Sequence, residues 1–369
     1  MRNNSISNDM NTLRYGIIGS GAVGGLYGGL LAHNGHDVHF LLNSDYDHVK
    51  RHGLRVDSPT GDFVLESPAI YRHARAMPRC DVVILALKST KNHLLRELLP
   101  SVVASDGVIL NLQNGLDVEA DCIEALHQNE YAGVMGGCCF LCSNKVGPGH
   151  IRHLDYGRIV LGSYQVASER VAERVTERVA ERVSNSSLID DIGQRIVAEM
   201  TASKIDAKWT DDLGSARWRK LMWNIPFNGL SVVLNASTDA IMESPAAKAL
   251  SDRLIREVHA GAVVCGVRID EAAIRQTMEH TESMMPYDSS MRLDYLAGRP
   301  MEVDAIFANP LAAVAQAESS EKLDRERDRE RDCERDREIQ ASTMPGVAML
   351  YQELQFLDSQ RGDTSKPSR

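Results

Sequence analysis

Lys220, Asn224 and Asn228 stand at i, i+4 and i+8 within Arg217-Trp-Arg-Lys-Leu-Met-Trp-Asn-Ile-Pro-Phe-Asn228. At about 100° per residue, each four-residue step advances a helical side chain by only about 40°, so the three fall along one stripe. An ammonium and two amides on one face supply donors for a carboxylate, a hydroxyl and a carbonyl oxygen. A solvated polar face has the same spacing, and the spacing alone leaves both open. Leu221, Trp223 and Phe227 can pack into a core beside the stripe. Pro226 removes a backbone donor and predicts a kink where the Met222 carbonyl loses its partner.

A second constellation lies near the start of the chain. The apolar run at residues 15–18 leads into Gly19-Ser20-Gly21-Ala22-Val23-Gly24, followed by an amphipathic segment at 26–34 and a second strand-like run at 36–42. Strand, glycine turn, helix, strand is the pattern of a dinucleotide site. Gly19 permits the tight turn, Gly21 lets a pyrophosphate approach the backbone, and Gly24 lets the helix pack close, with the anion on the free N–H groups of the helix start. GxGxxG alone also fits an ordinary turn; the flanking elements make it specific. Further apolar runs at 80–87 and 108–112 end at Lys88 and Gln113-Asn114-Gly115. Ligands of doubly wound sheets bind outside the carboxyl ends of the strands, which puts Lys88 and Asn114 on the cofactor's side. A plain polar loop residue is the alternative reading at each.

The elements that must position these residues follow from patterning. Residues 44–53 read as a short polar helix ending at a glycine cap, 54–71 as a β-hairpin around Pro-Thr-Gly-Asp, and 131–142 as a further strand. From about Leu188 helical periodicity takes over, with helices expected at 209–233, 244–266, 271–285 and 302–317. The fold class is therefore α/β: a Rossmann dinucleotide-binding domain over 13–165, then a mainly α-helical domain over 188–357, with the cleft between them as the natural active site. Two low-complexity inserts interrupt this plan. One is a Glu-Arg-Val repeat within 166–187; the other is an Asp-Arg-Glu-Arg run within 318–339. Both read as solvated surface expansions. Residues 1–12 and 358–369 read as disordered tails.

With 369 residues, 43% hydrophobic and 25% charged, the chain has the composition of a soluble protein with two cores. A net charge of −10 argues against a nucleic-acid partner, which needs a basic face. There is no apolar run of about 18 residues to span a membrane. The polar first ten residues do not resemble a signal peptide. Seven cysteines, an odd number, point to the reducing cytoplasm. Cys138, Cys139 and Cys142 have no matching His or Cys pair elsewhere, so buried thiols are expected rather than a metal site.

From Leu13 to about Tyr351 the sequence resembles the ketopantoate reductase (2-dehydropantoate 2-reductase) family. The carriers are Gly19-Ser-Gly-Ala-Val-Gly24, Leu87-Lys88, Gln113-Asn114-Gly115, Trp218-Arg-Lys220-Leu-Met-Trp-Asn224 with Asn228, Ser289-Ser290-Met-Arg-Leu-Asp294, and Glu302-Val-Asp304-Ala-Ile306. The resemblance implies a C-terminal domain of the 6-phosphogluconate-dehydrogenase-like kind and NADPH-dependent reduction of 2-dehydropantoate to pantoate, a step toward pantothenate. It makes Lys220 the proton donor to the ketone oxygen, and burial there would favour release of its proton. It gives Asn114, Asn224 and Asn228 to the substrate, with Asn114 also touching the cofactor, and Ser290 to the substrate carboxylate. Glu302 falls near the nicotinamide end of the cofactor. Lys88 contacts NADP, and Cys142 falls at another cofactor-lining position.

Two departures stand out. The family's arginine for the 2′-phosphate, just after the second strand, is Asn43 here, and it is not the acid of an NAD site either; Asp45 lies two residues on. Lys50, Arg51 or Lys88 could supply the charge, which keeps NADPH ahead of NADH. A further substrate-side asparagine is Thr238. That leaves a paralogous reductase of another small 2-oxo acid as the alternative, with a non-catalytic dinucleotide-binding sensor as a third reading. An exposed apolar helix in the second domain would suit a homodimer.

Overall fold

The computed structural model describes residues 12–164, 186–328 and 343–360. The Glu-Arg-Val repeat, half of the charged insert and most of both tails lie outside these residues. Two compact units divide the chain: residues up to 113 with 119–211, and residues 114–118 with those from 212 onward.

The first unit is built on β1 (Arg14–Ile18), helix α1 (Ala22–His33) and β2 (Asp37–Leu41). Helix α2 (Tyr46–His52) ends at Gly53, whose φ of 75° makes the expected glycine cap. β3 (Leu54–Asp57) and β4 (Phe63–Leu65) then pair antiparallel. The hairpin expected to fill 54–71 stops there. Instead β5 (Ala69–Tyr71) runs parallel to β2, because its short apolar strand completes the far edge of the sheet. β6 (Cys80–Leu85), helix α3 (Leu95–Val102), β7 (Val103–Asn111), helix α4 (Val118–Ala125) and β8 (Gly133–Gly147) continue the parallel arrangement. The glycines in β8 do not end it; it forms a long antiparallel pair with β9 (His150–Ser163). Helix α5 (Ser186–Ala202) and β10 (Ala207–Trp209), which pairs with β9, also belong to this unit. The division thus falls later than the change of character near Leu188, and Trp209 is a strand residue rather than a helix start.

The strand order is β4-β3-β9-β8-β7-β6-β1-β2-β5, and its second half is the Rossmann order. β4 and β5, at opposite ends of this path, are joined by only Glu66, Ser67 and Pro68. Four extended steps reach at most about 14 Å. Nine strands laid flat would place the ends about 38 Å apart. The sheet must therefore curl on itself, and α1 lies inside the curl. A Cβ on Gly28 would meet Ile17 of β1 at 2.7 Å, and one on Gly25 would meet Ile151 of β9 at 2.7 Å. This corrects the amphipathic reading of 26–34. The helix is buried on most of its surface, because strands close on both of its sides.

The second unit is helical: α6 (Leu213–Val233), α7 (Thr238–Glu243), α8 (Pro245–Val264), α9 (Ala272–Ser283), α10 (Ser290–Leu296), a π-turn (Asp304–Ala308), α11 (Asn309–Asp328) and α12 (Pro345–Ser359). α6 is the axis of its core. Asp212 caps it by accepting the Ser215 N–H at 2.8 Å, and the helix runs unbroken through Pro226. α12 packs against it so closely that a Cβ on Gly229 would meet Leu350 at 2.5 Å. The charged insert opens as a continuation of α11. Asp358, expected in the tail, is helical, and its carboxylate accepts the Met301 N–H at 3.1 Å. No helix among the described residues is long and apolar enough to cross a membrane.

Candidate functional site

In the first unit the glycine turn has the form its sequence predicts. Gly19 has φ +99°, and a Cβ there would lie 2.4 Å from the Leu87 nitrogen, so the turn is pressed against the end of β6. A Cβ on Gly24 would lie 2.1 Å from the Gly19 carbonyl oxygen, which fixes the first turn of α1 beneath the loop. At Gly21 a Cβ would meet nothing within 4 Å. Gly21 is the N-cap, no side chain caps the helix, and its first turn carries no acid. Open space beside backbone N–H groups at a positive helix end suits a pyrophosphate. The residues present therefore fit a dinucleotide, with Ser20, Ala22 and Val23 half-buried around the turn.

The strand ends beside it are wired together. The Gln113 side chain donates to the Leu87 carbonyl at 3.0 Å and to Asn92 Oδ1 at 2.6 Å, and its backbone N–H donates to Asn111 Oδ1 at 2.9 Å. Lys88, half-buried, stands just before a short 3₁₀ turn (Ser89–Leu94). Asn43 is exposed after β2. Asp45, the acid weighed for an NAD site, is only 5% exposed. It accepts from Lys145 Nζ at 2.6 Å and from the Gly149 N–H at 2.9 Å, and together these hold its carboxyl below the usual carboxylate range. It is a structural ion pair. Cys142 is buried in β8, next to Ser143, whose hydroxyl donates to the Ala22 carbonyl at 3.3 Å. Burial pushes the Cys142 thiol up to about 12. Cys139 and Cys142 have CxxC spacing, but neither is in a disulfide, and they are strung along an extended strand that holds residues three apart at about 10 Å.

In the second unit Lys220, Asn224 and Asn228 share α6 and are 8%, 5% and 2% exposed. The solvated-face alternative therefore does not hold. Asn224 Nδ2 and Asn228 Oδ1 are buried and find no partner among the described residues. An unmatched donor and an unmatched acceptor in one buried stripe are costly unless something else satisfies them. One turn further on, Ser231 donates to the Asn228 carbonyl at 3.0 Å and meets Ser289 at 2.6 Å. Since the only Ser231 proton is committed to Asn228, Ser289 is the donor in that pair. Ser289 also caps α10 through the Arg292 N–H, and so fastens Ser290, half-buried at the first position of that helix, to α6.

Asn114, half-buried, opens the short segment that belongs to this unit. Gly115 (φ +114°) could not carry a Cβ, which would lie 2.3 Å from the Ala305 carbonyl oxygen; Leu116 donates to that same carbonyl at 3.0 Å. Glu302 is 4% exposed just before the π-turn. Thr238 is 1% exposed: its hydroxyl donates to the Tyr287 carbonyl at 3.1 Å and accepts the Tyr287 N–H at 3.2 Å. It ties α7 to the segment leading into Ser289. Neither Tyr287 nor the Ser231–Ser289 link carries a signal in the sequence, apart from the closeness of Ser289 to Ser290.

Residues 15–165 match the family described as Ketopantoate reductase PanE/ApbA, and residues 212–320 match its C-terminal counterpart. The 2-dehydropantoate 2-reductase of Nostoc sp. is 42% identical over 349 residues, 95% of this chain and 96% of that protein. The chain belongs to the ketopantoate reductase family. Within it, the crystal structure of 2-dehydropantoate 2-reductase from Geobacter metallireducens matches with TM-score 0.75 and 35% identity, over 94% of this chain and 99% of that one. The fold extends further still. D-mandelate dehydrogenase, in a ternary structure with NADH and anilino(oxo)acetate, matches with TM-score 0.72 at 17% identity, over 95% of this chain and all of that one.

Proposed function

We propose that this chain reduces 2-dehydropantoate to pantoate with NADPH, on the route to pantothenate, with Lys220 as proton donor. The observation that carries the reading is the buried stripe of Lys220, Asn224 and Asn228, with an amide donor and an amide acceptor unmatched among the described residues. A hydroxylated 2-oxo acid brings both missing partners: a carboxylate or ketone oxygen for the donor and a hydroxyl for the acceptor. The 42% identity to a curated 2-dehydropantoate 2-reductase supports the same substrate class.

The nicotinamide, when bound, supplies the hydride that adds to the ketone carbon. The chain's own residues do the rest. Lys220 hydrogen-bonds the ketone oxygen, stabilises negative charge that grows only in the transition state, and gives up one proton to complete the alcohol. Asn224 and Asn228 fix the substrate along the helix, and Ser290 and Asn114 bind its polar ends. The glycine turn holds the pyrophosphate, with Lys88, Cys142 and Glu302 lining the cofactor. Burial of the stripe excludes water that would compete for the ketone oxygen.

The test is NADPH oxidation with 2-dehydropantoate, set beside NADH and a panel of other 2-oxo acids. Lys220→Ala should lower kcat by about a hundred- to ten-thousandfold, the usual weight of a general acid, with cofactor affinity unchanged. A fully active Lys220→Ala enzyme would place the donor elsewhere. One observation favours a second reading. The Thr238 hydroxyl is committed to Tyr287, so the site offers one polar group fewer than the family pattern. Turnover of a different 2-oxo acid alone would make this a paralogous reductase.

A further inference from the structure

β2 and β5 run side by side to their carboxyl ends: Leu41 pairs with Tyr71, and the Leu42 N–H donates to the Tyr71 carbonyl at 2.8 Å. The next residues are Asn43 on one side and Arg72 on the other. In a dinucleotide fold the adenosine ribose lies beyond the second strand, where an acid reads a free 2′-hydroxyl and an arginine reads a 2′-phosphate. Asn43 carries no charge, and Asp45 is locked to Lys145 and Gly149. Arg51 Nε is turned back along α2 to the Asp47 carbonyl at 3.0 Å.

Arg72 is placed differently. Its guanidinium carbon lies 4.5 Å from the centre of the Tyr46 ring, and its Nη2 lies 2.6 Å from Asp47 Oδ1. The side chain thus reaches from β5 to the first turn of α2, across the loop that Asn43 begins. The aromatic face holds the guanidinium plane, while the Asp47 carboxylate is an exposed partner, 71% accessible, and bonds it in a single contact. An exposed pair of this kind is weak. A phosphate dianion, matched to two guanidinium N–H groups at once, is the better partner.

We propose that Arg72, supplied by the neighbouring strand, replaces the arginine missing at Asn43 and recognises the 2′-phosphate of NADPH. This rests on the dinucleotide reading of the glycine turn, and the test separates the two. Binding of adenosine 2′,5′-bisphosphate and of 5′-AMP is measured by titration calorimetry on the full chain, for wild type and for Arg72→Ala, with Arg72→Gln as a size-conserving check and thermal unfolding as a control on folding. Wild type should prefer the bisphosphate. Arg72→Ala should weaken the bisphosphate about ten- to a hundredfold, leaving 5′-AMP unchanged. Adding Asn43→Arg to Arg72→Ala should restore the preference.

Equal loss for both ligands would make Arg72 a support of the loop and overturn the proposal. An undiminished preference in Arg72→Ala would overturn it by placing the charge elsewhere, on Lys50 or Lys88. Wild type that binds both ligands alike would refute the NADPH preference and the role of Arg72 with it. Wild type that binds neither would refute the dinucleotide site itself.

Discussion

Gly21→Ala and Gly24→Ala add the same methyl group three residues apart and should fail in different ways. At Gly24 the new carbon would stand 2.1 Å from the Gly19 carbonyl oxygen, where ordinary contact begins near 3.4 Å, so the helix start must retreat by more than an ångström. The obstacle is backbone, which cannot swing aside, and overpacking of this kind costs about 3 kcal/mol or more. For a unit of this size that is about 6–12 °C in Tm. At Gly21 the methyl meets nothing, and a φ of −78° suits alanine. The small loss of N-cap preference and the small gain from a stiffer unfolded chain leave stability within about 1 kcal/mol of wild type. The methyl would, however, occupy the space the pyrophosphate needs. Losing one charge-assisted N–H contact is worth about 1.5–3 kcal/mol, or about ten- to a hundredfold in Kd. Calorimetric unfolding of the apoprotein and titration with NADP+ give the two readouts. Wild-type NADP+ affinity in Gly21→Ala would refute the placement of the pyrophosphate. A Tm for Gly24→Ala equal to that of Gly21→Ala would refute the packing argument.

Two further outcomes follow from buried groups. Thr238→Val removes a hydroxyl that both donates to and accepts from the Tyr287 backbone; it should cost about 1–3 kcal/mol in thermal unfolding and raise KM for the ketoacid more than it lowers kcat, because the segment leading into Ser289 and Ser290 then depends more heavily on the Ser231–Ser289 bond. Cys80 and Cys142, both pushed up to about 12 by burial, stay protonated at neutral and mildly basic pH, so iodoacetamide labelling read by mass spectrometry at pH 8 should leave them unmodified until denaturant is added, and rapid labelling of either in the native protein would contradict its burial.

Local pattern made the glycine turn, β1, β2, β6 and α6 legible, since each carries its own periodicity and its own stop signal. What stayed hidden depends on partners distant in sequence. β9, with charged residues at Arg152, Asp155 and Arg158, reads as a strand only once β8 is laid against it. β5 looks like the end of a hairpin because nothing in Ala69-Ile-Tyr71 indicates that it will cross to β2. The glycines of α1 gave no hint of strands on both sides. Pro226 is a breaker by local rules, yet α6 continues through it with Ile225 and Phe227 fully buried, so packing overrides the lost hydrogen bond. Of the candidate site, residue types and spacing put Lys220, Asn224 and Asn228 on one helical stripe but left a solvated face equally open; their burial and the two unmatched amide atoms depend on how the helices pack around α6. The commitment of Thr238 to Tyr287 and the reach of Arg72 to Tyr46 join segments that no sequence window holds together.

The three-residue link between β4 and β5 has a consequence for association with other chains. An open sheet of this width would end in two rows of unpaired N–H and C=O groups, templates for an incoming strand. Here each terminal strand is three residues long, and Pro68 in the link lacks an amide hydrogen to offer. Held within about 14 Å of each other, the two rims leave an invading strand little length to pair with and little room to enter. The closure that seats α1 thus also shields the protein from edge-to-edge aggregation.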